Sequence, residues 1–302
     1  MSPNAAAGQT RQSEGAQATV AHRLPHPFDP HAWLDLKCMV GAGAYGRVYM
    51  AGDTAGRRFA VKQLNKTPAA RREISLHQRC NGHPNVVGMF GSHEDHLGLW
   101  MILEYCPDGD LFHHITHADG IFHSDRSANE PTIKLAFSQV CDGIAWCHQR
   151  GVYHRDIKPE NVLVWLERDP MTGYIRPVLK IADFGLATER PYTHDFGCGS
   201  TFYMSPECIG FAGNPPPAYG SGPTDVWSLG ILLLNIVTAQ NPWRQAHPRE
   251  EAFVYYQRDP HNFLARLLPI TDALQRCVCR ALELSVRHRC TVQELRSAVL
   301  DC

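Results

Sequence analysis

The first third of the chain carries short runs of apolar residues separated by polar turns, which is the pattern of β-strands. Five such runs occur, at Lys37–Val40, Arg47–Ala51, Arg58–Leu64, Val86–Phe90 and Leu99–Tyr105. Between the third and fourth runs, Thr67 followed by Pro68 predicts the start of a helix that continues through about His77. This part of the chain is therefore predicted to be a small, mostly β region with a single helix.

Helical spacing begins after the turn at Pro107–Gly109. Apolar residues then recur as one face of a helix. They lie at Ile133, Ala136, Phe137, Val140, Ile144 and Cys147. The rest of the sequence predicts helices joined by long loops. Two segments rich in Pro and Gly, Arg168–Pro177 and Gly210–Pro223, predict surface loops.

Composition and charge limit the classes of protein that this chain can belong to. With 302 residues, 44% of them hydrophobic, it can hold one large domain or a two-lobed one. The net charge of −1 argues against nucleic-acid or membrane-surface binding through bulk charge. The longest apolar stretch, around Val226–Val237, is too short to span a bilayer. We therefore expect no nucleic-acid and no membrane partner, and a monomer.

Residues 1 to about 30 are rich in Ala, Gln, Ser, Thr and Pro and predict a disordered N-terminal segment. Its first twenty residues lack the apolar centre of a signal peptide. The eleven cysteines are scattered and odd in number, which indicates free thiols in a reducing compartment. We expect an intracellular location, in the cytoplasm, the nucleus or both, and no regulatory domain after the last helices, because the sequence ends at Cys302.

A glycine-rich sequence, GAGAYGRV, occupies Gly41–Val48. By itself it is compatible with a dinucleotide-binding unit, with a phosphate-covering hairpin or with a simple tight turn. A dinucleotide-binding unit continues into a helix after its third glycine, whereas here Val48–Ala51 continues as a strand. The sequence therefore favours a β-hairpin whose glycines let the backbone lie close to phosphates.

The run HRDIKPEN at His154–Asn161, followed downstream by Asp183-Phe184-Gly185, contains the groups that phosphoryl transfer needs. One carboxylate must orient the attacking hydroxyl, a cation must stabilise the transferred phosphate, and oxygen atoms must bind magnesium. Asp156 and Lys158 are the candidate catalytic residues, and Asn161 and Asp183 are the candidate magnesium ligands.

These motifs resemble those of eukaryotic protein kinases, and Lys158, two residues after Asp156, is typical of the serine/threonine type. The resemblance implies an α+β, two-lobed fold over residues 34–297. The β-rich N-lobe would cover 34–104 and the mainly helical C-lobe 107–297. It also implies ATP and Mg2+ as cofactors and protein serine or threonine hydroxyls as acceptors.

The resemblance further implies a set of nucleotide-binding residues. Those expected to surround ATP are Val40, Gly41, Ala42, Gly43, Gly46, Val48, Ala60, Lys62, Glu73, Glu104, Cys106, Asp110 and Leu163. Lys62 would hold the α- and β-phosphates and Glu73 would hold Lys62, although only eleven residues separate them. Glu104 and Cys106 would bind the base through their backbone beside Leu103, and Asp110 would contact the ribose.

Residues Asp183–Glu207 resemble a kinase activation segment. Arg155 before the catalytic aspartate belongs to the class that usually needs an anion on this segment. We hypothesise that Asp195 supplies that anion and makes the kinase constitutively active. An exposed Asp195 in a mobile loop, or phosphorylation of Thr193, are the alternatives.

Two structural contacts are also expected from the family pattern. Glu207 would pair with Arg289, and Asp225 would bind the backbone of the catalytic loop.

Three further stretches narrow the resemblance to fungal nutrient- and meiosis-regulating serine/threonine kinases. They are His194–Cys208, Asn241–Trp243 and Leu268–Ile270. Glu160 and Asp110 near the substrate cleft would favour basic residues upstream of the acceptor. The alternative from another class is a kinase-like scaffold without activity, which predicts loss of Lys62, Asp156, Asn161 or Asp183; all four are present.

Overall fold

The computed structural model describes residues 22–43, 46–122, 130–173, 175–210 and 217–302. Six strands form one antiparallel sheet in the order β1-β2-β3-β4-β6-β5. These strands are β1 Arg23–Pro25, β2 Trp33–Gly43, β3 Gly46–Gly52, β4 Arg58–Leu64, β5 Met89–Asp95 and β6 Gly98–Glu104. Together with helix α1, Pro68–Cys80, they make up the small lobe.

Helix α1 begins where the sequence predicts. The Thr67 hydroxyl accepts a hydrogen bond from the Ala70 N–H at 3.1 Å, so it satisfies one of the unpaired donors of the first turn. The predicted strand at Val86–Phe90 is displaced, because β5 starts only at Met89. Val87 instead donates its N–H to the carbonyl of Ile181 in the large lobe at 2.9 Å.

The prediction of disorder through residue 30 is wrong for residues 23–25. Leu24 is fully buried against Leu34 in the small-lobe core, and β1 pairs with the start of β2. The next residue after β1, His26, is also buried and packs on Phe59, and a strand of three residues is too short to show periodicity. Residues 1–21 lie outside the described part of the chain.

The large lobe contains eight helices within the described ranges and two short strand pairs. The helices are α2 Leu111–Thr116, α3 Glu130–Gln149, α4 Pro206–Ile209, α5 Ser221–Thr238, α6 Glu251–Arg258, α7 Pro260–Leu267, α8 Asp272–Ala281 and α9 Val292–Leu300. The strands are β7 Val162–Arg168, β8 Ile175–Ile181, β9 Tyr192–Thr193 and β10 Tyr219–Gly220. All six apolar residues of the predicted helical face of α3 are buried, so that prediction is confirmed. Helix α5 is apolar and buried on nearly every side, as expected of a core helix.

Both predicted loops are shorter than expected. Strands β7 and β8 pair from Val162 with Ile181 out to Arg168 with Ile175, so the first segment is the end of a β-hairpin and its two ends are in strands. The end of the second segment forms β10 and the first turn of α5, while residues 211–216 lie outside the described part. No helix in the described ranges is both long and apolar enough to cross a bilayer.

Candidate active site

A cleft of about 800 Å³ opens between the β2–β3 hairpin and the large lobe. It is lined by all thirteen residues predicted to surround a nucleotide, and by Lys158, Asn161 and Asp183. Leu103 lines it as well. The predicted residues thus converge on one cavity from both lobes, except Asp156, which does not line it but contacts Lys158 and Asn161, which do.

The glycine hairpin closes one side of the cleft. Gly43 pairs with Gly46 at its tip, and residues 44–45 lie outside the described part. Gly46 has φ +141°, and a Cβ there would lie 2.2 Å from the carbonyl oxygen of Gln63. Only glycine fits at this position, so the hairpin can lie directly on strand β4.

Lys62 on β4 forms two ion pairs at the inner end of the cleft. Its Nζ donates to Glu73 Oε1 at 2.6 Å and to Asp183 Oδ1 at 2.8 Å. The predicted contact between Lys62 and Glu73 is therefore confirmed despite the short spacing. Burial disfavours the ammonium, but the carboxylates of Asp183 and Glu73 outweigh it and raise the pKa of Lys62. Burial raises the pKa of Asp183 and Lys62 opposes it, with a lowered pKa as the result.

Asp156 and Lys158 surround one hydroxyl at the mouth of the cleft. Ser200 Oγ donates to Asp156 Oδ1 at 2.7 Å and accepts from Lys158 Nζ at 2.8 Å. Lys158 also lies 2.9 Å from Asp156 Oδ2. Asn161 Nδ2 donates to the same Oδ2 at 3.0 Å. The Asp156 carboxylate is thus fixed by three neighbours.

The donor set fits a divalent cation that also binds phosphate. Asn161 uses its amide nitrogen on Asp156, which leaves its amide oxygen for the cleft. Asp183 uses Oδ1 on Lys62, which leaves Oδ2. Two hard oxygen atoms are too few for a protein-only site, and the described residues contain no cluster of three or more His, Cys, Asp or Glu that could hold a metal. The pair suits an ion such as Mg2+ that takes its other ligands from phosphate and water.

Two expected nucleotide contacts also have a structural task. The Asp110 carboxylate caps α2 by accepting from the His113 N–H at 2.8 Å. The Glu104 carboxylate turns to Lys180, 3.1 Å away, and to the Gly88 N–H, 3.0 Å away. The Glu104 N–H donates to the Gly88 carbonyl at 2.8 Å, so only the backbone carbonyl of Glu104 is left to contact a base.

Asp225, at the N-terminal part of α5, binds the backbone of the catalytic loop, His154–Asn161. Its buried carboxylate accepts from the N–H groups of His154 at 2.9 Å and Arg155 at 2.7 Å. Arg155 has φ +65° and Asp183 has φ +60°, both in the left-handed region. These contacts therefore stabilise a strained backbone next to Asp156, and the predicted role of Asp225 is confirmed.

The two predicted ion pairs of the activation segment are both formed. Arg155 Nη1 lies 3.0 Å from Asp195 Oδ2. The hydrogen bond from Arg155 lowers the pKa of the Asp195 carboxyl. Arg289 donates to both oxygens of Glu207, at 2.5 and 3.1 Å. Thr193, the alternative site for a phosphate, has a fully buried side chain.

His77 lines the cleft but was not found from the sequence. It lies four residues after Glu73 on the same face of α1, and its ring packs on Phe184 at 4.6 Å. Burial lowers its pKa to about 4, since the charged form would have no water around it. The spacing from Glu73 was the available signal, but a lone histidine near a helix end has no distinctive pattern.

Comparison with known families identifies the class to which this two-lobed fold and its cleft belong. Residues 34–299 match the protein kinase domain family. The chain belongs to this family.

The curated relatives include several fungal serine/threonine kinases. A Schizosaccharomyces pombe protein described as a negative regulator of sexual conjugation and meiosis is 36% identical over 290 residues, covering 87% of this chain and 59% of the relative. The S. pombe serine/threonine-protein kinase ksp1 is 34% identical, covering 78% of this chain and 51% of the relative. The Saccharomyces cerevisiae serine/threonine-protein kinase VHS1 is 32% identical, covering 76% and 49%. This chain thus spans only about half to three-fifths of the length of these relatives.

Proposed function

We propose that this chain transfers the γ-phosphate of ATP to serine and threonine hydroxyls of proteins. The observation that carries the proposal is the position of the Ser200 hydroxyl, which is hydrogen-bonded to both Asp156 and Lys158. An acceptor hydroxyl must reach the same position. It lies at the mouth of the cleft that contains Lys62 and Asp183. Membership of the protein kinase family and the named kinase relatives support the same reaction.

The Asp156 carboxylate orients the acceptor hydroxyl and takes up its proton at an oxygen atom. Lys158 and Asn161 keep that carboxylate in place. Lys158 also brings a positive charge to the side where the phosphoryl group is transferred. Ser200 belongs to the activation segment, so a substrate hydroxyl would have to share or displace its contact with Asp156.

ATP fits the lining of the cleft. Val48, Ala60 and Leu163 offer aliphatic surfaces to the adenine, and the backbone of Glu104 and Cys106 offers polar groups to its edge. Val40 and the hairpin glycines lie over the phosphates, while Asp110 faces the ribose. Magnesium held by Asn161 and Asp183 would neutralise part of the charge on the phosphates.

The remaining assignments concern the metal, the compartment and the role in the cell. Asn161 and Asp183 would hold Mg2+ through their remaining oxygens, and Lys62, oriented by Glu73, would bind the α- and β-phosphates. The eleven free cysteines support an intracellular location, in the cytoplasm, the nucleus or both. We propose a regulatory role for the kinase in nutrient or developmental signalling. The S. pombe relative described as a regulator of conjugation and meiosis supports it.

The experiment that tests the proposed function is an acceptor profile. The wild-type chain is incubated with Mg2+, ATP and a peptide library with central Ser, Thr or Tyr and varied flanking residues. We expect transfer to Ser and Thr but not to Tyr, with enrichment of upstream Arg that weakens in Glu160→Gln. Transfer to Tyr alone, or to no peptide and no protein, would refute the proposed function. A profile without upstream Arg would remove only the basic preference.

A further inference from the structure

The activation segment is tied to the strand that precedes helix α5. Strands β9 and β10 pair antiparallel, with Thr193 opposite Tyr219. The pairing continues on one side, because the N–H of Ser221 donates to the Pro191 carbonyl at 2.9 Å and its hydroxyl donates to the Arg190 carbonyl at 2.7 Å. Sequence patterns do not predict this attachment, because each strand has only two residues.

Tyr219 adds side-chain contacts to the same attachment. Its hydroxyl donates to the backbone carbonyl of Asp195 at 2.8 Å, and its ring packs on Phe196 at 5.4 Å between centroids. The side chain is 3% exposed. Tyr219 therefore contacts the backbone of Asp195, whose carboxylate is paired with Arg155.

Arg155 connects this attachment to the catalytic loop. Its Nη1 binds the Asp195 carboxylate, and its Nε donates to the Leu186 carbonyl at 2.8 Å, near the start of the segment. Gly199 lies so close that a Cβ there would be 2.7 Å from the Arg155 carbonyl oxygen. The next residue is Ser200, whose hydroxyl contacts Asp156. The position of residues 195–199 thus sets the position of Ser200 at the site.

We propose that Tyr219 and Asp195 are positioning residues that hold the activation segment ready for transfer without phosphorylation. The side chain of Arg155 is 5% exposed, and its guanidinium is already paired with the carboxylate of Asp195. Thr193 is buried, and its Oγ1 accepts from the Asp195 N–H at 3.2 Å, so it contributes to the attachment rather than receiving a phosphate. This inference rests on the proposed function and adds how the same site is regulated.

The test uses the full chain from bacteria, treated with phosphatase and checked by mass for the absence of phosphate. The kcat and the KM for ATP and peptide are compared in wild type, Tyr219→Phe, Asp195→Asn and Asp195→Glu. Tyr192→Phe is the matched control, because Tyr192 lies on β9 but is 70% exposed. Hydrogen–deuterium exchange of residues 190–198 reports the attachment independently of activity.

We expect the unphosphorylated wild type to be active. Loss of one hydrogen bond in Tyr219→Phe should lower kcat about fivefold, and loss of the charge in Asp195→Asn about tenfold. The KM for ATP should stay within about twofold, because the nucleotide cleft is untouched. Asp195→Glu should restore at least about half of the activity. Exchange should be faster in Tyr219→Phe and unchanged in Tyr192→Phe.

Three outcomes would overturn the inference. If the wild type transfers phosphate only after its activation segment is phosphorylated, the inference is wrong but the proposed function stands. If Asp195→Asn and Tyr219→Phe are both fully active, the inference is also wrong and the proposed function stands. If neither form of the wild type transfers phosphate, the proposed function fails, and equal exchange in Tyr219→Phe and wild type would then reject the attachment separately.

Discussion

The ammonium of Lys62 lies 2.8 Å from Oδ1 of Asp183, although 121 residues separate them in the chain. Lys62 belongs to the small-lobe sheet, whereas Asp183 follows strand β8 of the large lobe. Glu73 on α1 contacts the same ammonium. One cation therefore links the sheet, the helix and the start of the activation segment.

This link predicts unequal effects of two substitutions. Lys62→Met removes the cation that we propose binds the α- and β-phosphates, and kcat/KM should fall about 10²–10³-fold. Glu73→Gln leaves Lys62 bound to Asp183, so the fall should be smaller, about tenfold. Steady-state peptide phosphorylation measures both. Lys66→Met is the control, since Lys66 is a half-exposed lysine near the same strand. A Lys62→Met enzyme within about twofold of wild type would contradict the assignment.

Asp225→Asn should destabilise the fold as well as the catalytic loop. The buried carboxylate accepts from two backbone N–H groups and from His148, 2.8 Å away. An amide would place a donor against one of these donors, so the free energy of unfolding should fall by about 2–3 kcal/mol. Urea unfolding of Asp225→Asn measures this change, with exposed Asp301→Asn as the reference substitution. Equal stability of the two variants would show that Asp225 does not have this role.

His77 predicts a specific dependence of stability on pH. Its pKa is about 4 in the folded chain and has an ordinary value of 6.5, since burial disfavours the charged ring. Between these values the unfolded state binds the additional proton, so stability falls as the pH drops from about 6.5 to about 4. From pH 7 to pH 5 this contribution amounts to about 2 kcal/mol.

Urea unfolding at pH 7 and pH 5 measures the contribution of His77. His77→Gln is the matched variant, because glutamine keeps a donor for the Val87 carbonyl, which His77 contacts at 2.7 Å, but does not titrate. The loss of stability on acidification should be smaller in the variant. Identical losses in both proteins would contradict the buried, neutral state of His77.

Much of the site could be predicted because its chemistry is local in sequence. Asp156, Lys158 and Asn161 lie within six residues, and a single strand carries Ala60 and Lys62. The hypothesis that Asp195 supplies an anion to Arg155 is supported by the 3.0 Å contact between the two side chains. Few other kinds of site require these residue types at this spacing, so the motif alone indicates the chemistry.

The attachments that orient the site could not be predicted in this way. Tyr219 meets Thr193 across 26 residues through strands of two residues each, which is too short for alternation to be visible. The same holds for β1, a strand of three residues in which Leu24 is the buried one. The Glu104–Lys180 contact also joins distant segments, and the sequence around either residue does not predict the other as its partner. Pairing between distant segments depends on tertiary packing, which periodicity does not encode.

The most direct test of the account is transfer of labelled γ-phosphate from ATP by the wild type and by Asp156→Asn, with nucleotide binding measured in both. Asparagine preserves the size of the side chain but cannot accept the hydroxyl proton. We predict magnesium-dependent transfer by the wild type, a loss of at least about 10²-fold in the variant, and unchanged nucleotide binding. Transfer of equal rate in both proteins, or ATP binding without any transfer by the wild type, would contradict the account.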